Sequence, residues 1–173
     1  MKLPFINRRA IVFTISLAII ATFWVIANPR VDAQGKRLPK PKGHISDLAN
    51  VLDGATRQRL ETVLENLKHR TGVDLVVAVV PSVGTEDIYD YSLWLANDWN
   101  IGGQSSPNKS LLLVIAADTS RIFTQFSKSA RADLPDGLIG EMGRRMRAKI
   151  STSGFSLGLV AGVQTFVDRL GEQ

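Results

Sequence analysis

Cysteine is absent from the 173-residue sequence, and that absence excludes a thiol nucleophile, a zinc centre built on thiolates and a disulfide framework. Histidine occurs only as His44 and His69. Neither stands at a telling local distance from a Ser or Asp, so a Ser-His-Asp site has no support in the sequence. No G-x-G-x-x-G follows a strand pattern and no Walker loop is present, which leaves nucleotide binding unsupported as well. A net charge of +5 suggests an acidic polymer as partner, but the positive excess is confined to the first 42 residues: from Gly43 onward, 13 basic side chains face 15 acidic ones. The body of the chain is not basic, and no nucleic-acid partner is expected. Internal repeats and low-complexity tracts are also lacking.

The chain does have a leader. Lys2, Arg8 and Arg9 precede an 18-residue apolar run from Ala10 to Ala27, and a short polar stretch ends in Val31-Asp32-Ala33. Residues 1–33 therefore read either as a signal peptide cut before Gln34 or as a retained N-terminal membrane anchor. Both readings put the body outside the cytoplasm: periplasmic, secreted or lumenal. Residues 34–43, QGKRLPKPKG, are rich in Lys, Pro and Gly and read as a basic, semi-extended linker. Residues 44–173 are left as one domain.

Within that domain, HISDLANVLDG is irregular, and Leu60, Val63, Leu64 and Leu67 then form one stripe of a helix over 55–70 that stops at Thr71-Gly72. VDLVVAVVP and SLLLVIAAD are buried strands. Between them lies a helix with Thr85 as its cap, Glu86 and Asp87 in its first turn, and Ile88, Tyr91 and Leu95 on its buried side. Strand, helix and strand make a right-handed parallel βαβ unit. DTSR turns the chain back, so RIFTQFS lies antiparallel at an edge. Pro135 and Asp136 open a third helix, in which Ile139, Met142, Met146 and Ile150 face inward. After STSG, a fourth helix carries Gly158 and Gly162 four apart, spacing that permits close helix packing. The fold class is α/β: a three-layer sandwich with a small mixed β-sheet (a parallel βαβ unit plus an antiparallel edge strand) and about four helices.

Parallel strands bring their C-terminal ends to one edge, where open α/β sheets bind ligands. Asp47 and Asp118 meet there as candidate metal ligands, with calcium as the ion that oxygen donors suit; as turn or capping residues they would be structural instead. The opposite edge gathers a second acidic set, Asp98, Asn108 and Asp136. In DWNIGGQSSPNK, Trp99 and Ile101 anchor the loop on the core, while Gly102 and Gly103 supply backbone angles that other residues resist. Arg144, Arg145 and Arg147 form a basic helix face that is either solvated or an interaction surface.

Taken together, ISDLANVL, RTGVDLVVAVVPSVGTEDIYDYSLWLANDWNIG, NKSLLLVIAADTSRI and GFSLGLVAG resemble, in order, the motifs of the TPM domain, an extracytoplasmic domain of bacteria, thylakoids and some animals. The similarity spans residues 43–170. It implies one of two functions. The first is a non-catalytic accessory or assembly/repair module at a membrane surface or in a membrane-protein complex, as in photosystem II maintenance. The second is a calcium-dependent acid phosphatase. The sequence departs from the family pattern at Ser110, Gln125, Ser127, Ser153 and Ser156, where the family carries glycines or acidic residues, and these departures favour the accessory role.

Overall fold

The computed structural model describes residues 38–104 and 106–171. The segment 1–33, read from the sequence as a signal peptide or anchor, and the first residues of the linker lie outside that range. Residues from Leu38 onward belong to one compact unit. Its elements are β1 (Ile45–Asp47), α1 (Gly54–Thr71), β2 (Asp74–Val80), α2 (Ile88–Trp99), β3 (Ser110–Ala116), β4 (Arg121–Phe126), α3 (Lys128–Arg131), α4 (Leu138–Ser153) and α5 (Phe155–Gly171).

The four strands form one sheet in the order β1-β2-β3-β4. β2 pairs parallel with β3, Asp74 opposite Ser110 through Val80 opposite Ala116, and β4 returns antiparallel beside β3. The expected βαβ unit and antiparallel edge strand are both present. β1 adds a second parallel pairing, with Ile45 opposite Val77 and Asp47 opposite Val79. At three residues it is too short for a period-2 pattern to appear in the sequence, which is why ISD reads as irregular there.

Because successive side chains of a strand point to opposite faces, the apolar runs of β2 and β3 build two cores. Leu75, Val77, Val79, Leu111, Leu113 and Ile115 face α1, α4 and α5. Val76, Ala78, Val80, Leu112, Val114 and Ala116 face α2, where they meet Tyr91, Leu95, Ala96 and Trp99. Helices therefore cover both faces of the sheet in three layers, five helices in all among the described residues.

Local chemistry sets the helix ends. Asp53 caps α1 by accepting the Thr56 N–H at 2.7 Å, and Gly72 closes the helix in the left-handed region at φ 72°. α2 starts later than its acidic approach suggests: the cap is Asp87, which accepts the Tyr89 N–H, while Thr85 and Glu86 stay in the loop. Asp87 wins because its short carboxylate reaches an N–H two residues on. α4 likewise begins after Gly137, at φ 75°, so Pro135 and Asp136 form the approach turn and not the first helical turn. The linker reading also needs amending at one residue. Leu38 is 7% exposed and packs in the α2-side core beside Val76, Trp99 and Ile101, because a lone Leu beside an apolar sheet face is driven out of water whatever its neighbours.

Candidate functional site

The C-terminal ends of the parallel strands bring Asp47 and Asp118 to one edge of the sheet. Asp47, the last residue of β1, has a fully buried side chain. Its carboxylate accepts the Val51 N–H at 3.2 Å, the Leu52 N–H at 2.9 Å and Arg57 Nη2 at 3.0 Å. Three donors, one of them a guanidinium, already neutralise it, and it ties the 48–53 turn to α1. Asp118 follows β3 and is exposed; it accepts Ser82 Oγ–H at 2.5 Å and Thr119 Oγ1–H at 3.1 Å. The Ser82 hydrogen bond, foremost, lowers the Asp118 pKa.

Asp47 and Asp118 share this edge but do not converge. β2 lies between their strands, a separation of about 10 Å at two strand spacings, and Asp118 lies three residues beyond Ile115, at the register level of Asp47. Calcium takes about six to eight oxygens. A cation beside Asp47 would have to displace Arg57, so this donor set does not suit calcium. Ser156, at the start of α5, reaches the same edge by accepting the Asp53 N–H at 3.3 Å. The Thr56 backbone N–H, first, and then the Thr56 and Ser156 hydroxyls hold the Asp53 carboxyl down at about 2.

At the opposite edge the second acidic set does not assemble. Among the described residues no hydrogen bond or ion pair joins Asp98, Asn108 and Asp136; Asn108 and Asp136 are exposed. What holds this edge is serine. The Asn108 carbonyl accepts Ser127 Oγ–H at 2.8 Å and Ser129 Oγ–H at 3.0 Å, Ser127 Oγ accepts the Ser110 N–H, and Ser110 Oγ accepts the Gly102 N–H at 2.9 Å. Gln125 Nε2 donates to Ser92 Oγ on α2 at 3.0 Å. Ser110 and Ser127 are therefore parts of one polar brace, while Gln125 makes a separate buried hydrogen bond to α2.

That brace fixes the loop after α2. Trp99 is 5% exposed and Ile101 packs on the same core. Asn100 ends the helix in the left-handed region. Gly102 follows at φ +68°, and a Cβ there would stand 2.8 Å from Gln125 O and Leu112 N. Gly103 differs: the nearest atom to a Cβ would be Asn97 Oδ1 at 3.5 Å, an ordinary contact. Of the two glycines only Gly102 is required by the backbone.

On α4, Arg144, Arg145 and Arg147 are exposed. Arg145 is tied to Glu141 at 3.0 Å, whereas Arg144 and Arg147 have no carboxylate partner among the described residues.

A further group gathers around a histidine that has no telling partner nearby in the sequence. His44, immediately before β1, is buried with its ring among carboxylates: Nδ1 is 3.4 Å from Glu61 and 3.6 Å from Glu65, and Nε2 is 3.2 Å from Asp74 Oδ1. Asp74 also pairs with Lys68 at 2.8 Å. Contact with Asp74, first, and the charge of Glu61 raise the His44 pKa against the opposing pull of burial and Lys68. Burial pushes the Asp74 carboxyl up, but His44 and Lys68 outweigh it and the net shift is downward. These groups line an open cavity of about 640 Å³ with Pro41, Lys42 and Gly43. Glu61, Glu65 and Lys68 follow helical spacing, a visible polar stripe, but nothing local connects it to His44.

Residues 45–169 match the family model described as the TPM domain. Among solved structures, the N-terminal domain of a Porphyromonas gingivalis protein (P. gingivalis), determined by NMR in solution, is 26% identical, with TM-score 0.68 over 79% of this chain and 94% of that one. The BA42 protein of the psychrophilic bacterium Bizionia argentinensis is 13% identical, with TM-score 0.59 over 70% of this chain and 82% of its own. The N-terminal domain of a Corynebacterium glutamicum protein is 10% identical, with TM-score 0.59 over 81% and 86%. The last two likenesses concern the fold alone. No curated protein matches the chain.

Proposed function

Since the chain belongs to the TPM-domain family, we propose that it works as a non-catalytic accessory or assembly module on the extracytoplasmic side of a membrane. The single observation that carries this reading is the engagement of Asp47: its buried carboxylate is saturated by two backbone N–H groups and Arg57, so it serves the fold and not a reacting group. Asp118, two strands away, is engaged by the Ser82 and Thr119 hydroxyls at a surface turn. The extracytoplasmic, membrane-side placement rests on the sequence, through the apolar run 10–27 and its basic flank; no described helix is long and apolar enough to cross a membrane. Arg144 and Arg147, exposed and without a carboxylate partner among the described residues, supply cations for an anionic partner surface, either lipid headgroups or an acidic face of a membrane protein.

The test combines two measurements on the purified chain. Amide NMR at about 1 mM calcium is expected to show no shifts at Asp47 or Asp118, alongside no hydrolysis of a generic phosphomonoester. The double variant Arg144→Glu/Arg147→Glu is expected to lose co-sedimentation with the membrane fraction from which the wild-type chain is recovered. Calcium-dependent hydrolysis that is lost in both Asp47→Asn and Asp118→Asn would replace the accessory role with the phosphatase.

A further inference from the structure

The segment 38–44 is held to the body at both ends. At one end Leu38 is buried in the α2-side core. At the other, the Glu61 carboxylate grips the backbone, accepting the His44 N–H at 2.7 Å and the Ile45 N–H at 2.8 Å. The grip is close: a Cβ on Gly43 would stand 2.7 Å from Glu61 Oε1. Between these anchors, Pro41, Lys42 and Gly43 form one wall of the open cavity, and α1 with the start of β2 forms the other. The His44 ring bridges the two walls.

The ring's surroundings make that bridge depend on one proton. The groups facing it are Glu61, Glu65 and Lys68 from α1, Asp74 from β2, and Lys42 from the segment itself. Both ring nitrogens lie close to carboxylate oxygens, Nδ1 3.4 Å from Glu61 and Nε2 3.2 Å from Asp74. An imidazolium donates from both nitrogens, whereas a neutral imidazole has one N–H and one lone pair, and here that lone pair must face a carboxylate. We propose that His44 is a proton-operated latch that tightens residues 39–43 against α1 and β2, between the Leu38 and Glu61 anchors, and loosens them when its ring is neutral. The raised pKa fits this arrangement: closed below the ordinary value of the ring, open as pH rises through the folded value. Loosening leaves the five residues between the two anchors more open to solvent, Lys42 among them. The latch is independent of the accessory role proposed above.

Trypsin can cut after Lys42, inside the latched segment. The experiment measures cleavage of the full-length chain at Lys42–Gly43 from about pH 6 to about pH 9, each rate divided by that of the heat-denatured chain at the same pH. Wild type is expected to lose protection by about tenfold or more across that range, with the midpoint matching the His44 ring titration followed by NMR. His44→Gln is expected to be cut rapidly at every pH. If that variant fails to fold, Asp74→Asn decides: it is expected to lower the His44 pKa and move the protection curve to lower pH by the same interval. Protection that does not change with pH in wild type, a His44 ring titrating at or below the ordinary 6.5, or an Asp74→Asn curve superimposed on the wild type would each overturn the latch.

Discussion

At the scale of single residues, Gly102 and Asp47 show how a position is constrained by what surrounds it. Gly102 combines φ +68° with main-chain atoms 2.8 Å from where a Cβ would sit, and main chain cannot rotate away as a side chain can. Gly102→Ala is therefore expected to cost about 2 kcal/mol or more, and Gly103→Ala to stay within about 0.5 kcal/mol, both read from chemical denaturation midpoints. Asp47→Ala is expected to cost about 3 kcal/mol, because it strands the Val51 and Leu52 N–H groups and leaves Arg57 without its carboxylate. If denaturation finds that variant as stable as wild type, the carboxylate is not structural. In sequence both aspartates read as candidate ligands at the same sheet edge. Only their partners separate a buried brace from the exposed turn residue Asp118.

At the scale of elements, the α4–α5 contact carries the most specific expectation. Gly158 and Gly162 of α5 both face α4, but they meet different atoms. A Cβ at Gly158 would lie 2.9 Å from the Ile150 backbone nitrogen, whereas at Gly162 the obstacle is the Met146 side chain, whose Cβ is 3.2 Å away and whose tip can swing. Gly158→Ala is expected to cost about 2–3 kcal/mol and Gly162→Ala about 1 kcal/mol or less, a difference that thermal denaturation would resolve. An inverted order would mean that α4 can shift away from α5 as a unit. The four-residue glycine spacing visible in the sequence announces a close helix contact. It does not say which of the two glycines abuts backbone.

Across the whole molecule, acid–base behaviour concentrates at the His44 cradle. The folded His44 pKa is raised, so its contribution to stability is complete below its ordinary 6.5 and is lost as pH rises through the folded value. The folded Asp74 pKa is lowered, so its contribution is complete above its ordinary 3.8 and is lost as pH falls through the folded value. Together they predict a stability plateau from about pH 4 to about pH 6.5, declining on both sides. Urea denaturation midpoints across that range check it: Asp74→Asn should flatten the alkaline limb, and a wild-type limb that stays level above pH 7 would contradict the pairing.

The sequence alone determined the layering. Continuous apolar strands demand cover on both faces, striped helices supply it, and the reversal at Asp118-Thr119-Ser120 sets the antiparallel edge strand. Those features depend on local periodicity and turn chemistry, which a linear chain carries in itself. The ordered TPM-like motifs were legible for the same reason. Tertiary structure decided everything that required two distant segments to meet. It added β1, too short to declare itself, and buried Leu38 out of a hydrophilic stretch. It joined Ser110 to Ser127 and Gly102 in one brace, and it surrounded His44 with carboxylates from α1 and β2. Whether a charged side chain braces, binds or titrates depends on which opposite charges and how much water lie within a few ångströms of it, and those neighbours are chosen by the fold.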